Sequence, residues 1–190
     1  MKNLLKSRAA LSTVVTTLII LVVSVLLATV VTFYAINVTT TRTSEESLQL
    51  NEMHTWQNGT SFAELGFVIA NTGGRDIVVD KITVRGQDIP ITNAYFNETS
   101  NTISSDLAFQ APNAAGTAIK TTTITVGSST YKLSLGVSGQ NLILPAGKSM
   151  IVYIVNPDHV SVNDIGVTLG VTVFTADAQY YQECNVEASS

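Results

Sequence analysis

The residue types used most often in metal binding and nucleophilic catalysis are few in this sequence and lie far apart. The two histidines, His54 and His159, are separated by more than one hundred residues, and Cys184 is the single cysteine. A structural zinc site needs four ligands at close spacing, so two isolated histidines do not predict one. The sequence therefore predicts no metal ion and no cofactor, and His54 is interpreted as a joint or surface residue. Cys184 is interpreted as a partly buried thiol, with a bridge between subunits as the alternative.

Acidic residues could supply oxygen ligands, but their spacing does not favour this role. Asp76, Asp80 and Asp88 flank one predicted strand, and Asp158 and Asp164 bracket a turn. Neither set has the spacing of a calcium-binding loop, so solvated loop acids are the favoured interpretation and a weak structural cation is the alternative. The sequence also lacks a G-x-S-x-G elbow, a phosphate-binding loop and an H-E-x-x-H motif. No catalytic residue is assigned, and we expect a protein that is not an enzyme.

Three asparagines begin N-x-S/T triplets, the acceptor pattern for N-glycosylation. They are Asn37, Asn58 and Asn97. A random order of this Asn-, Ser- and Thr-rich composition gives a similar number of triplets, so the count itself carries no information. Asn58 and Asn97 are the candidates for an exposed site, whereas Asn37 falls in an apolar segment and is discounted.

The chain has two parts, an apolar segment near the N-terminus and a longer remainder, and these must position the candidate residues named above. From Ala9 to Thr41 there is no charged side chain, glycine or proline. A helix over Ala10–Val38 would be about 43 Å long, whereas the core of a bilayer is about 30 Å thick. Cleaved secretory signals have shorter apolar regions and end at a small-x-small site, which fits this segment poorly. The segment is therefore expected to stay with the protein.

The charges around this segment predict its orientation and exclude one class of partner. Lys2, Lys6 and Arg8 precede the segment, so the positive-inside bias places the N-terminus in the cytoplasm and residues 43–190 outside. Residues 43–190 contain six Lys and Arg against fourteen Asp and Glu, a balance of −8. Because such a domain repels phosphate backbones, no nucleic-acid partner is expected.

Small and hydroxylated residues recur at four-residue spacing along one stripe of the predicted helix. In order along the chain they are Ser12, Thr16, Ser24, Ala28 and Thr32. In lipid, helices associate through small residues that allow close backbone approach and through hydroxyl hydrogen bonds. The stripe therefore favours a helix that packs against copies of itself. The alternative is that the hydroxyl groups bond only to carbonyl groups of their own helix.

The residues Arg8-Ala9-Ala10-Leu11 resemble the processing site of archaeal type IV pilin-like precursors. The stretch ALSTVVTTLIILVVSVLLATVV that follows is similar to the first helix of these pilins. The family's class III signal peptide is a short basic leader, and the resemblance implies that it is cut between Ala9 and Ala10. Archaellins share the arrangement but usually have glycines where the helix starts. Bacterial type IV pilins carry a Glu near that point, so the archaeal pilins are the better match over about residues 1–40.

The resemblance implies a structural subunit of an extracellular filament. The N-terminal helices of family members bundle in the filament core, and their C-terminal β-domains face outward. The implied partners are copies of the same chain and, during biogenesis, a prepilin peptidase, an assembly ATPase and a membrane platform protein. The subunit would lie in the cytoplasmic membrane before assembly and at the cell surface afterwards. The alternative function is a monomeric ectodomain for binding or adhesion, anchored by a single uncleaved span.

The remainder of the chain is predicted to be an Ig-like antiparallel β-sandwich, which gives an α+β protein. Short alternating stretches rich in β-branched residues begin near residue 62, and turn signals such as NTGG and LPAG separate them. Thr92–Thr117 is either a long surface loop or a pair of weak strands. The predicted domains are a leader at 1–9, a hydrophobic helix and stem at 10–50, and the outer domain at 51–190. Met53, His54 and Trp56 are expected at the join.

Overall fold

One helix, α1, forms the N-terminal part of the chain in the computed structural model. The structure describes residues 2–59, 62–157 and 160–189, with side chains described from residue 11 onward except at 41–44. α1 spans Lys2–Ser44, and the chain divides after Thr43 into this helix and a strand domain. The absence of glycine and proline between Ala9 and Thr41 lets the helix run without a break.

The strand domain contains twelve described strands and two 3-10 turns. The 3-10 turns are Ile91–Asn93 and Val162–Asp164. The strands are β1 Leu48–Gln57, β2 Ala63–Asn71, β3 Ile77–Val84, β4 Gln87–Asp88, β5 Ala94–Thr99, β6 Thr123–Val126, β7 Ser129–Lys132, β8 Ser134–Leu135, β9 Leu142–Leu144, β10 Ser149–Val155, β11 Thr168–Thr175 and β12 Gln179–Ala188.

Ten of these strands form one curled sheet, and β6 and β7 form a separate hairpin. The order in the sheet is β4-β3-β11-β12-β1-β2-β10-β5-β8, with β9 also paired to β3. The long apolar helix followed by a mostly-β domain confirms the α+β class. The expectation of a purely antiparallel sheet is wrong at one pair, because β1 and β12 run parallel, with Thr55 opposite Val186. This pairing joins the first strand of the domain to the last.

The helix ends earlier than the predicted boundary near residue 50. Leu48 is buried in β1, and β1 pairs with β2 on one side and β12 on the other. The Glu46 side chain is only 6% exposed and pairs with Arg75 at 3.4 Å. It also accepts a hydrogen bond from the Thr175 hydroxyl group. Strand pairing and this ion pair therefore override the helix-compatible composition of the stem.

The turn NTGG at residues 71–74 contacts the segment that connects α1 to β1. The backbone N–H groups of Thr72 and Gly73 both donate to the Ser47 carbonyl oxygen, at 2.9 and 3.1 Å. A Cβ atom at position 73 would lie 2.7 Å from the Glu45 carbonyl oxygen. Glycine is therefore required here by close backbone approach rather than by a left-handed conformation.

A β-bulge divides β1 between the two hydrophobic cores. The pairing with β2 shifts by one residue between Asn51 and His54, and Glu52 there has φ 49°. Before the bulge Leu48 faces the inside of the curl, and after it Trp56 faces the opposite side of the sheet. Such an insertion flips the side-chain alternation, so one strand can serve both cores.

The inner cluster fills the inside of the curled sheet. Its members come from both ends of the sheet and include Leu65, Phe67, Ile69, Ile77, Val84, Leu144, Met150, Val152, Ile154, Leu169, Val171 and Val173. The outer cluster lies on the opposite face of β1, β2, β5 and β10. Its members are Trp56, Phe62, Val68, Tyr95, Ile103, Leu107, Ile119, Ile124, Val126, Tyr131, Leu133, Ile151, Tyr153 and Val155.

The segment Thr92–Thr117, predicted as a long surface loop or a pair of weak strands, contains one strand followed by irregular structure. Its beginning forms β5, which pairs with β10 and β8. The following residues are irregular but bury Ile103 and Leu107 in the outer cluster. They therefore act as a cover for the sheet rather than as a solvated surface loop.

Candidate functional site

The apolar surface of α1 is uncovered in the described chain. Residues 11–40 are all exposed, and the large apolar side chains among them range from 42% exposure at Val38 to 71% at Tyr34. Leu11–Thr40 is long and apolar enough to cross a membrane by length and composition, a test that a signal sequence also passes. A helix that is apolar all round requires lipid or other helices around it.

The predicted packing residues lie on this surface, and their hydroxyl groups already donate within the helix. Thr16 bonds to the Ser12 carbonyl oxygen at 2.9 Å, and Thr32 bonds to that of Ala28 at 2.7 Å. Ser24 bonds to the Ile20 carbonyl oxygen at 2.6 Å. These bonds satisfy the hydroxyl donors inside an apolar environment. The hydroxyl oxygens and the small side-chain volumes remain available for contact with a neighbouring helix.

Part of the stripe forms a shallow groove. The groove is lined by Val25, Ala28, Thr29, Thr32, Phe33 and Ile36. Ala28 and Thr32 have shorter side chains than Phe33 and Ile36, so a side chain from another helix could approach the backbone here. Close approach of this kind is what small residues contribute to helix packing in membranes.

The predicted processing residues lie in the first turns of α1. The backbone of Arg8, Ala9, Ala10 and Leu11 is helical, and the Leu11 side chain is 69% exposed. The side chains of Arg8, Ala9 and Ala10 lie outside the described part of the structure. A peptidase that cuts between Ala9 and Ala10 would therefore act on a bond that is helical in this conformation.

The two glycosylation candidates occupy different positions relative to their strands. The side-chain nitrogen of Asn97 donates to the Lys132 carbonyl oxygen at 2.8 Å from within β5. Asn58 follows β1 directly, and its backbone N–H donates to the Phe62 carbonyl oxygen at 3.2 Å. The third residue of its triplet, Thr60, lies outside the described residues. The Asn97 amide is therefore already engaged within the strand domain.

The ionisable residues considered in the sequence find separate partners. His54 Nε2 lies 2.5 Å from Asp106 Oδ1, and His54 Nδ1 lies 3.6 Å from Glu187 Oε1. Asp88 pairs with Lys81 at 3.3 Å, and Asp76 accepts the Ala146 N–H at 2.9 Å.

Asp164 is held by both hydrogen bonds and an ion pair. It accepts hydrogen bonds from the Ser161 N–H and hydroxyl groups at 2.7 and 2.8 Å, and it pairs with Arg85 at 2.9 Å. The Ser161 backbone hydrogen bond and then Arg85 lower its pKa to about 2. Within residues 11–40, 45–59, 62–157 and 160–189, no three His, Cys, Asp or Glu side chains are grouped to hold a metal ion. Asp158 and His159 lie outside these ranges.

A cleft of about 310 Å³ lies where the two ends of the curled sheet approach each other. Ile82 and Leu142 come from one end, and Ala94 and Ile154 come from the other. Its lining contains no His, Cys, Ser or Glu side chain. The lining does include Asp80 and Lys81, so the cleft combines an apolar wall with one acidic and one basic residue.

Two buried polar side chains were not predicted from the sequence. Glu64 of β2 and Gln57 of β1 each bury an oxygen atom that has no hydrogen-bond partner among the described residues. Glu64 occurs within FAELGFVIA, where alternation indicates a strand but does not tell whether the polar face is covered. The only available signal was an acid inside an otherwise apolar run.

Comparisons with known proteins leave the family of the chain open. No protein-family model and no curated protein matches it. Among solved structures, the chain is similar to one described as the copper-bound PCuAC domain from PmoF2. The alignment covers 76% of this chain and 98% of that one, at 12% identity and a TM-score of 0.34. A likeness this distant carries no argument about ligand or function.

Proposed function

We propose that the chain is a pilin-like structural subunit of an extracellular type IV filament. The observation that carries the proposal is the unbroken helix whose residues 11–40 are all exposed in the single chain. In such a filament the helices would bundle in the core, and the strand domains would form the outer surface. The resemblance of residues 1–40 to archaeal pilin precursors supports this assignment over other roles for an apolar helix.

The physical basis of assembly is the transfer of one apolar surface between two apolar surroundings. A helix stored in the cytoplasmic membrane can enter a bundle of identical helices without exposing its Val, Leu and Ile side chains to water. The hydroxyl hydrogen bonds of Thr16, Ser24 and Thr32 are internal to the helix, so they persist in either environment. The transfer therefore requires no change in the hydrogen bonding of the helix.

We infer that the outer domain acts as an Ig-like sandwich sheath. Support for two layers comes from the inner cluster, where side chains of β2 and β10 meet those of β3 and β11. Exposed apolar side chains outside α1, among them Val137 and Ile143, are candidates for contacts between subunits. A prepilin peptidase, an assembly ATPase and a membrane platform protein would be the partners in biogenesis.

Processing and assembly can be tested together. Filaments sheared from expressing cells should consist of this chain, and mass spectrometry of the subunit should give Ala10 as the first residue. Replacing Ala9 with a bulky acid, Ala9→Glu, should leave the uncut chain in the membrane and abolish filaments, whereas Ser7→Ala should be cut normally. Filaments whose subunits retain residues 1–9 would contradict the processing proposal.

Enlarging a small side chain of the helix stripe tests its role in assembly. Ala28→Leu fills the groove and should reduce filament assembly at least tenfold, because helices can no longer approach closely there. Leu27→Ala changes volume at the adjacent residue outside the stripe and serves as the matched control. Equal assembly of wild type and Ala28→Leu would remove the stripe from the mechanism.

A second function is a single-span, membrane-anchored ectodomain for binding or adhesion. The internal hydrogen bonds of the hydroxyl groups favour it, because they let the helix lie alone in lipid. A chain that keeps residues 1–9, remains in the membrane and forms no filament would support this function. Native-state crosslinking of the membrane fraction then separates a monomer from a helical polymer.

A further inference from the structure

Residues 106–110, here called the strap, cross the outer cluster and are held by side chains of three strands. His54 of β1 contacts Asp106 at 2.5 Å. The Tyr153 hydroxyl group of β10 donates to the Ala108 carbonyl oxygen at 3.0 Å. Glu64 Oε2 of β2 accepts the Gln110 backbone N–H at 2.8 Å. The strap is therefore fastened at both ends and in its middle.

The strap closes the outer cluster from solvent. Leu107 is buried within the cluster, and Phe109 packs edge-on against Trp56 and Phe62, with ring centroids 6.3 and 6.1 Å apart. Gly66 leaves the space below: a Cβ atom there would lie 3.1 Å from both Trp56 and Tyr153 and 3.4 Å from Leu107. The fit between strap and sheet is therefore tight.

Glu64 lies fully buried beneath the strap with incomplete hydrogen bonding. Its side chain opposes Trp56 of β1 and Val155 of β10 across the ladders. Oε2 accepts the Gln110 N–H, and Oε1 has no hydrogen-bond partner in the part of the chain that the structure describes. The titratable groups on this face are Tyr153 from β10, Tyr95 from β5, Tyr131 from β7, His54 from β1, Glu187 from β12 and Asp106 from the strap. No ion pair with Glu64 occurs among the described side chains.

This environment favours the neutral carboxyl group. An ionised carboxylate that is buried with one N–H donor and without a cation is strongly disfavoured. Burial raises the pKa of Glu64 from 4.5 to about 8, against the opposing effect of the Gln110 hydrogen bond. When the strap lifts, the carboxyl group meets water and regains its ordinary acidity.

We propose that Glu64 is a proton-dependent latch, which holds the strap closed over the outer cluster while its carboxyl group is neutral and releases the strap when it ionises. The closed state holds a proton that the open state lacks at every pH between the two pKa values. Closing is therefore favoured at low pH and weakens as pH rises. The equilibrium constant for opening increases about tenfold per pH unit from about pH 5 to about pH 8, and it is constant above and below this window.

Hydrogen exchange on the full chain in lipid nanodiscs tests the latch. The readout is the exchange rate of the Gln110 amide and its neighbours in the strap between pH 5 and 9, divided by the intrinsic rate at each pH. This ratio should rise by at least a hundredfold in the wild type. Glu64→Gln has no carboxyl group at this position, so the ratio should be nearly flat in this variant. Glu52→Gln changes a half-buried acid at the bulge of β1, away from the strap, and should follow the wild type.

A second variant separates the latch from the other ionisable contact of the strap. His54 carries a charge in its pair with Asp106 only when protonated. Asp106→Asn removes that ion pair and should raise strap opening most where His54 is protonated, while the slope due to Glu64 remains. Loss of the slope in Asp106→Asn and its retention in Glu64→Gln would assign the effect to His54 and overturn the proposal.

Infrared spectroscopy keeps the test independent of variant folding. The wild type should show the carbonyl band of a protonated carboxylic acid at pH 7, which disappears as pH rises past about 8. The fluorescence of Trp56, the single tryptophan, should change over the same range because its ring lies beside Phe109 and His54. Absence of the protonated band at pH 7 would overturn the latch.

Discussion

The N-terminal helix and the strand domain carry similar apolar side chains in opposite surroundings. In α1 the Val, Leu and Ile residues from Leu11 to Val38 face outward. In the strand domain, residues such as Leu65, Phe67 and Ile154 are fully buried in the inner cluster. The domain thus removes most of its apolar surface from water by itself, whereas the helix depends on lipid or on other helices. The strand domain is therefore stabilised by its own core, whereas the helix presents the apolar surface that must meet lipid or other helices.

Removing an aromatic ring from each part gives the largest expected difference. Phe67→Ala creates a cavity in the inner cluster and should lower the free energy of unfolding of the strand domain by about 3–5 kcal/mol. Phe33→Ala removes the same ring from an exposed position on α1 and should leave that free energy unchanged. Denaturant titration of the full chain in micelles, followed by Trp56 fluorescence, measures both. Equal losses in the two variants would contradict the separation of roles.

A charge introduced at two equally exposed positions should affect α1 more than the strand domain, which is the reverse of the previous pair of variants. Val30 of α1 and Val137 of the strand domain are both 65% exposed in the single chain. Val30→Arg should disfavour membrane insertion by about 2.5–3.5 kcal/mol, because the side chain would lie in the hydrocarbon region. Val137→Arg should leave insertion unchanged, since that side chain meets water.

Extraction of membranes at alkaline pH measures this effect. Val30→Arg should move most of the chain from the pellet to the supernatant, while Val137→Arg remains in the pellet with the wild type. Retention of Val30→Arg in the membrane would mean that this part of α1 does not cross the hydrocarbon core.

A single added methyl group tests packing at a smaller scale. Gly66→Ala places a Cβ atom 3.1 Å from Trp56 and Tyr153, so the strand domain should lose about 1–3 kcal/mol through overpacking. Ala28→Val enlarges a small side chain of α1 where the single chain leaves open space, and it should not change unfolding of the domain. Thermal melting of both variants checks the contrast. A neutral Gly66→Ala would show that the outer cluster can relax around the new group.

The helix could be predicted because its signal is local. Length, composition and the lack of glycine and proline are all contained within Ala9–Thr41. Strands with clear alternation and β-branched residues, such as β2, β3, β10 and β11, could be predicted for the same reason. The filament function has no such local test in the single chain and stays a proposal.

The first and last strands of the domain could not be predicted, because distant pairing determines them. The β1 sequence contains residues that suit a helix, and it becomes a strand through ladders with β2 and with β12. The burial of Glu64 has a similar origin, since the segment that covers it lies 46 residues further along the chain. Neither relation leaves a pattern in the local sequence.

Acid sensitivity gives the smallest expected effect and again separates the two parts. The pKa of Asp164 in the folded domain is about 2, below its ordinary value of 3.8, because of the Ser161 N–H and then Arg85. Its contribution to stability is therefore complete above about pH 4 and is lost as pH falls towards 2. Asp164→Asn removes this contribution, so its Tm should decline less than that of the wild type between pH 4 and 2. The Tm of Asp80→Asn, at an exposed position of β3, should decline as that of the wild type does.

Membrane retention should not change over this range, because no acidic residue occurs between Ala9 and Thr41. A parallel loss of retention and of Tm would show that the helix and the strand domain are energetically coupled.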